Sequence, residues 1–239
     1  LPANPLPVAL APAGQGSAVV ILNDTSMVHL DGTPLVAASA TPFFTASAKA
    51  SANNGKVVVF EGLIGDVLAR DCRSLPCIDT LLPLAGSTPV AVAVNPDGSA
   101  IAVQLNDASI ALFRNDFSAA PQIIAGTIAQ KAAGQNGDIA FSGDNRLVIT
   151  GSSTTVIDLT TGKQLSETAG LESSVAAWSP RGQVMALACD GITVCLYGVD
   201  GTRKAAFTGH VNPIRAVRWS PDGKALVSFA PNDPVRLWA

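Results

Sequence analysis

With 239 residues, the chain is long enough for one large or two small domains and for a sizeable buried core. Its residues are 48% hydrophobic and 14% charged, but the apolar residues come in short runs, far below the roughly 18 consecutive ones that span a bilayer. Residues 1–173 carry 8 Lys/Arg against 14 Asp/Glu, whereas residues 174–239 carry 7 against 4, and the net charge is −3. These values argue against membrane insertion and nucleic-acid binding, and they make the basic C-terminal part a candidate docking face.

Six similar turns recur along the chain, each between two short apolar segments. They begin at positions 11, 52, 95, 142, 179 and 220, which gives steps of 41, 43, 47, 37 and 41 residues. Asn95-Pro96-Asp97-Gly98 shows the chemistry, because Pro fixes φ, Asp bonds its own backbone and Gly accepts a positive φ at the exit. The six turns therefore predict six two-stranded hairpins.

A third and a fourth short strand are predicted after each hairpin except the last. In the fifth unit these are Ile192–Tyr197 and Arg203–Thr208, and in the irregular second unit they are Val67–Ala69 and Ile78–Leu82. Regular short strands predict an all-β fold, and the period near 40 residues favours a β-propeller of four-stranded antiparallel blades over a sandwich. We predict one propeller domain over residues 1–239, with units at approximately 6–40, 41–86, 87–134, 135–172, 173–212 and 213–239.

The last unit carries the most specific motif. Gly209–Ala239 contains Gly-His, then the turn WSPDG, then a terminal Val-Arg-Leu-Trp, and this order resembles a WD-repeat. The resemblance implies a hydrogen-bond network within the blade, in which the His bonds a Ser or Thr and continues to an acidic residue and a Trp. The matching residues here are His210, Ser228, Asn232 and Trp238. Asn232 departs from the acidic residue of the family, and its neighbour Asp233 is the alternative.

The sixth unit ends at Trp238, after its third strand. In WD-repeat proteins the outer strand of the last blade is often supplied by the N-terminus, which closes the ring and removes unpaired strand edges. Residues 1–5 read LPANP and are too short and proline-rich for this role. We therefore expect the closing strand to come from polypeptide upstream of Leu1 or from another chain, and a whole upstream blade would make a seven-bladed ring.

The sequence contains no catalytic constellation. There is no GxSxG nucleophile elbow, no glycine-rich phosphate loop and no Cys/His cluster with metal-ligand spacing, and the innermost strands offer few ligands. We therefore predict a non-enzymatic scaffold without a cofactor or metal, which binds another protein or a peptide with its top-face loops and central opening. A ligand or metal site in the central channel and the scaffold domain of a larger enzyme or complex remain the alternatives. The candidate partner-binding residues are Asn212, Pro213, Arg215, Arg218 and Lys224.

The four cysteines are relevant to the cellular compartment in which the protein works. Cys72 and Cys77 bracket a short loop and could form a disulfide in an oxidising space. Cys189 and Cys195 lie on successive strands, where hairpin register pairs Cys195 with about position 186 instead of 189, so we interpret them as buried thiols. The WD-repeat resemblance implies a cytoplasmic protein, and the first cysteine pair leaves a periplasmic or secreted one as the alternative.

Overall fold

The secondary structure is built from short strands only. A computed structural model describes residues 7–14, 17–22, 27–29, 34–36, 47–52, 56–62, 65–124, 137–220 and 222–239. Within these residues there are 23 β-strands and no helix, and the strands form six sheets in which neighbouring strands follow one another along the chain. Five sheets have four strands and the last has three. The predicted all-β fold class, with six units of which the last lacks its outer strand, is confirmed.

The chain divides into two compact units, of which the first comprises Leu1–Asn106 and Ala111–Ile123. Its three sheets fall almost wholly within these limits, and their strands are β1 (Pro7–Gly14), β2 (Ser17–Leu22), β3 (Met27–His29), β4 (Pro34–Val36), β5 (Ser47–Ser51), β6 (Val57–Glu61), β7 (Val67–Asp71), β8 (Ile78–Leu81), β9 (Pro89–Val94), β10 (Ala100–Leu105), β11 (Ile110–Arg114) and β12 (Gln122–Ile124). One apolar cluster packs the second and third sheets together, with Val57 and Val59 of β6 against Ile101 and Val103 of β10.

The second unit comprises Asp107–Ile110 and Ile124–Ala239. Its strands are β13 (Ile139–Phe141), β14 (Arg146–Thr150), β15 (Ser153–Asp158), β16 (Lys163–Ala169), β17 (Ala176–Trp178), β18 (Val184–Ala188), β19 (Val194–Gly198), β20 (Arg203–Phe207), β21 (Ala216–Trp219), β22 (Leu226–Phe229) and β23 (Arg236–Trp238). The first strands of successive sheets lie next to each other, β13 beside β17 and β17 beside β21.

The sheet β17–β20 shows how successive sheets stack. Because side chains alternate along a strand, Met185 and Leu187 of β18 pack against the sheet β13–β16, while Ala186 and Ala188 pack against β21–β23. All four side chains are at most 1% exposed. Each face of this sheet therefore contributes to a separate apolar cluster.

Two tryptophans fasten neighbouring sheets by hydrogen bonds. The Trp178 indole donates to the carbonyl of Ala140 at 2.9 Å, and the Trp219 indole donates to the carbonyl of Ala177 at 3.2 Å. In both cases the acceptor lies on the first strand of the preceding sheet. The position before the Ser-Pro turn is thus an inter-sheet packing position.

The hairpin turns form for the reasons that their residues suggest. In the last unit, the Ser220 hydroxyl accepts from the Ala225 amide at 2.9 Å, and the Asp222 carboxylate accepts from the Lys224 amide at 3.1 Å. Gly223 has φ = 71°, a value that glycine adopts without a steric penalty. The hydrogen bond from Ser220 is the largest contribution that holds the pKa of Asp222 below its ordinary value, so the ionised carboxylate is the form that closes this turn.

Some predictions fall outside the described residues. Leu1–Pro5, which the sequence excludes as the closing strand, are not among the residues that the structure describes. The boundaries of the six units and the upstream continuation stay predictions. In the described part of the chain, no helix has the length and hydropathy needed to cross a membrane.

Candidate functional site

A buried hydrogen-bond network joins the segment before the last sheet to β22, to β23 and to the turn between them. His210 Nδ1 lies 3.0 Å from a carboxylate oxygen of Asp233, and Nε2 lies 2.7 Å from Ser228 Oγ. The Trp238 indole donates to the same Oγ at 2.9 Å. Since a carboxylate only accepts, Nδ1 of the neutral imidazole donates to Asp233 and Nε2 accepts from the Ser228 hydroxyl. The donors therefore run in one direction, from Trp238 through Ser228 and His210 to Asp233.

The acidic member of this network is Asp233, and the prediction of Asn232 was wrong. Asn232 adopts φ = 57° in the turn before β23, where it is exposed. The turn places the following side chain, only 4% exposed, against the histidine. Asn and Asp both tolerate the left-handed conformation, so either residue type can occupy the positive-φ position of this turn. The hydrogen bond from the Val211 amide is the largest of the effects that keep the pKa of Asp233 below its ordinary value.

The order of bonds Asp233–His210–Ser228 is that of a hydrolase triad, but its surroundings are different. The Ser228 and His210 side chains are both 0% exposed. The Ser228 oxygen also accepts the Trp238 indole hydrogen, which occupies a lone pair that a nucleophilic serine would need free. No substrate carbonyl can reach Ser228 Oγ in this arrangement, so we interpret the network as structural.

The network holds a loop, residues 209–215, which we call the His210 loop. The Val211 amide donates to Asp233 at 2.8 Å, and the Ile214 amide donates to the carbonyl of Gly191 at 2.8 Å. Ile214 is fully buried, whereas Val211 is 77% exposed. Both ends of the loop are therefore fixed to the sheets while its middle faces solvent.

The structure brings together three of the five candidate partner-binding residues. Asn212, Pro213 and Arg215 lie on the His210 loop, where Pro213 and Arg215 are exposed and Asn212 is half-buried. Arg218 lies on β21, and its guanidinium donates to the carbonyl of Val217 at 2.8 Å. Lys224 lies in the Ser220 turn that joins β21 to β22. Arg218 and Lys224 therefore do not belong to the loop surface.

A cleft of about 430 Å³ lies beside the His210 loop. Three connections between strands form it, and its lining residues are Gly151, Gly170, Glu172, Ser173, Ser174, Ala188, Cys189, Asp190 and Gly191. Gly191 is the residue to which the loop is bonded through Ile214. Burial raises the pKa of Asp190, but hydrogen bonds from Thr193 and Ile192 outweigh this effect and lower it overall.

Sequence reasoning did not single out the acidic side of this cleft. The cleft could have been predicted from the strand order, because the connections β14–β15, β16–β17 and β18–β19 all lie at the same end of stacked antiparallel sheets. Glu172 is exposed there, and in the described part of the chain it makes no ion pair. The same part of the chain contains no group of three or more His, Cys, Asp or Glu side chains arranged for a metal ion.

All four cysteines form disulfides. Cys72 is bonded to Cys77 with 4.3 Å between their Cα atoms, and Cys189 is bonded to Cys195 with 5.7 Å. The interpretation of the second pair as thiols was wrong. Register places Cys195 opposite Leu187, but Cys189 lies beyond the end of β18, where the chain turns back and brings the two Cα atoms within bonding range.

Comparisons with known proteins agree with this architecture. The model of the family "WD domain, G-beta repeat" matches residues 201–231. A chain in the crystal structure of the mitotic checkpoint complex superposes with a TM-score of 0.74 over 100% of this chain and 76% of that chain, at 17% identity. Residues 201–231 therefore carry a WD repeat, and the chain has a β-propeller fold.

A curated relative of this WD-repeat chain is the COMPASS component SWD1 of Saccharomyces cerevisiae. The two are 32% identical over a region that covers 28% of this chain and 17% of the yeast protein. The match thus spans less than a fifth of that relative's length. The family match lies in the second unit and contains the His210 loop and Ser228, whereas Asp233 and Trp238 lie beyond its end.

Proposed function

We propose that this propeller is a non-enzymatic scaffold that binds another protein or a peptide through the His210 loop and the adjoining cleft. The observation that carries the proposal is a loop fixed at both ends that exposes Val211, Pro213 and Arg215. A surface held in place before binding loses little conformational entropy when a partner docks. The family and the similarity to a component of COMPASS support a role in protein assemblies in general.

The charges of this surface indicate what the partner presents. Arg215 and Glu172 are both exposed and, among the described residues, neither makes an ion pair. The exposed Val211 side chain offers a partner an apolar contact on the same surface as these charged groups. We expect a partner segment with an apolar anchor, a carboxylate for Arg215 and a basic side chain for the cleft.

Changing Val211 to Asp together with Arg215 to Glu is expected to weaken partner binding about tenfold or more, because both contacts become repulsive. Both side chains are exposed, so the melting temperature should stay the same. The measurement is the amount of partner retained when the tagged variant is isolated from its natural source, at two salt concentrations.

The matched control makes the same pair of changes away from the loop, with Leu165→Asp on β16 and Arg203→Glu on β20. Leu165 is 43% exposed and Arg203 is exposed. Equal retention of partners by the loop variant and the control would contradict the proposed surface.

We also propose that the protein works in an oxidising compartment, either periplasmic or secreted. The support is that both cysteine pairs are bonded and no free cysteine is left. Protein taken from its source and alkylated before reduction should show no modified cysteine, and alkylation after reduction should modify all four. Modification of the four cysteines without reduction would instead support the cytoplasmic expectation.

A further inference from the structure

The disulfide between Cys189 and Cys195 closes a small covalent ring around the connection from β18 to β19. Cys195 is fully buried in the apolar cluster between the sheets β13–β16 and β17–β20. Cys189 is half-buried and lines the cleft beside the His210 loop. One cysteine is therefore fixed in the core, and the other belongs to the wall of the cleft.

The covalent ring also contains the residue that anchors the His210 loop. The carbonyl of Gly191 accepts from the Ile214 amide at 2.8 Å. Asp190 holds the same turn by accepting from the Thr193 amide at 2.6 Å. Three consecutive residues of the ring, Cys189–Gly191, line the cleft. The shape of the cleft and one anchor of the loop therefore depend on the same ring.

Opening the disulfide would displace this turn. Non-bonded atoms repel each other at the separation of a covalent bond, so two thiols need more room than two bonded sulfurs. The Cys195 side chain has no space to withdraw, because it is 0% exposed and lies in one packed cluster with Met185 and Leu187. The displacement therefore falls on Cys189 and on the turn that follows it, which border the cleft.

We propose that the Cys189–Cys195 disulfide is a redox switch for the docking surface, by which we mean the His210 loop together with the cleft. The bonded form holds the turn and the loop in place for a partner. The reduced form shifts the turn, loosens the bond between Ile214 and Gly191 and weakens partner binding. This regulation rests on the proposed function, because it acts on the same surface. In an oxidising compartment the bonded form is the resting state.

The reductant that the switch requires is a dithiol. A thiolate of the dithiol attacks the sulfur of Cys189, the cysteine that lines the cleft, and the Cys195 sulfur leaves with the bonding electron pair and takes up a proton. The second thiolate then attacks the dithiol sulfur of this mixed disulfide, and the Cys189 sulfur leaves in the same way. Two electrons and two protons pass to the protein, and the dithiol becomes a disulfide.

Amide hydrogen exchange, measured by NMR on the purified chain, tests the switch without any partner. Reduction with dithiothreitol should speed the exchange of the Ile214 amide about tenfold, because the acceptor of this amide lies in the turn that moves. The Arg215 amide is the internal control, since it donates to the carbonyl of Phe229 at 2.8 Å, outside the ring, and its exchange should change less than about twofold.

Two results of this measurement would overturn the proposal. One is equal exchange of the Ile214 amide in the oxidised and the reduced chain. The other is a Cys189–Cys195 bond that stays closed in the folded chain under dithiothreitol, as alkylation and mass spectrometry would show.

Two double variants assign the effect to one disulfide. Cys72→Ala with Cys77→Ala leaves only the Cys189–Cys195 bond and should respond to dithiothreitol like the unchanged chain. Cys189→Ala with Cys195→Ala leaves only the other bond, and its Ile214 amide should not respond. An equal response of the two variants would contradict the switch. If the second variant does not fold, the first decides alone, because it contains no other disulfide.

Partner retention separates this proposal from the proposed function. Dithiothreitol should lower the amount of partner held by the tagged chain about tenfold or more, and it should release none from the variant Cys189→Ala with Cys195→Ala. If Val211→Asp with Arg215→Glu loses its partners but dithiothreitol releases none from the unchanged chain, the docking surface stands and the switch fails. If that loop variant retains its partners, the proposed function fails and the switch has no binding to regulate, whatever the Ile214 amide shows.

Discussion

Replacing His210 with leucine is expected to lower the free energy of unfolding by about 3 kcal/mol, although leucine fills a similar volume. The imidazole bonds Asp233 on one side and Ser228 on the other, and all three side chains are at most 4% exposed. Without the ring, a buried carboxylate and a buried hydroxyl each lose a partner. Chemical unfolding followed by tryptophan fluorescence measures the change, because Trp238 belongs to the same network.

Val211→Ala is the matched control for this change. Val211 is the next residue of the same loop and is 77% exposed, so its loss should cost less than about 0.5 kcal/mol. A second comparison is Ser228→Ala, which removes the hydrogen bonds of Ser228 to His210 and Trp238 and keeps the bond between His210 and Asp233. If His210→Leu were no more destabilising than Val211→Ala, the network would not stabilise the last sheet and the His210 loop would need another support.

The turns and the repeat could be predicted from the sequence because their chemistry is local. Asn95-Pro96-Asp97-Gly98 and its relatives need only their own residues to form, and their spacing alone indicates six sheets. The partners of His210 were also predictable in part, because Ser228 and Trp238 follow from the WD-repeat motif. The choice between Asn232 and Asp233 was not, because it depends on how the chain leaves the turn before β23.

Features that depend on the path of the chain beyond a strand, or on the meeting of distant segments, could not be predicted from the sequence. Strand register correctly kept Cys195 away from position 189 within the ladder, but register says nothing about a residue in the turn beyond a strand. The cleft beside the His210 loop is formed by three connections that are far apart in sequence.

Removing the carboxylate of Asp79 with an Asp79→Ala change is expected to cost about 3–5 kcal/mol, which is the largest effect that we predict for a single substitution. Its partner Arg70 lies opposite it on β7, with Nε–Oδ1 and Nη2–Oδ2 distances of 2.7 and 2.8 Å. Arg70 is only 2% exposed, and its guanidinium carbon lies 6.0 Å from the centre of the Phe60 ring. The substitution would leave this buried cation without its carboxylate partner.

Burial, and not the presence of an ion pair, is the reason for the size of this effect. Asp200 and Lys204 also form an ion pair, at 3.8 Å, but their side chains are 61% and 52% exposed, so Lys204→Ala should cost less than about 0.5 kcal/mol. Replacing both partners of the buried pair, with Arg70→Met and Asp79→Leu, should restore most of the stability lost by Asp79→Ala, because no buried charge remains. Urea unfolding of the single and double variants gives the coupling free energy between the two side chains. A double variant as unstable as Asp79→Ala would mean that the ion pair itself, and not the cost of a buried cation that has lost Asp79, holds β8 against β7.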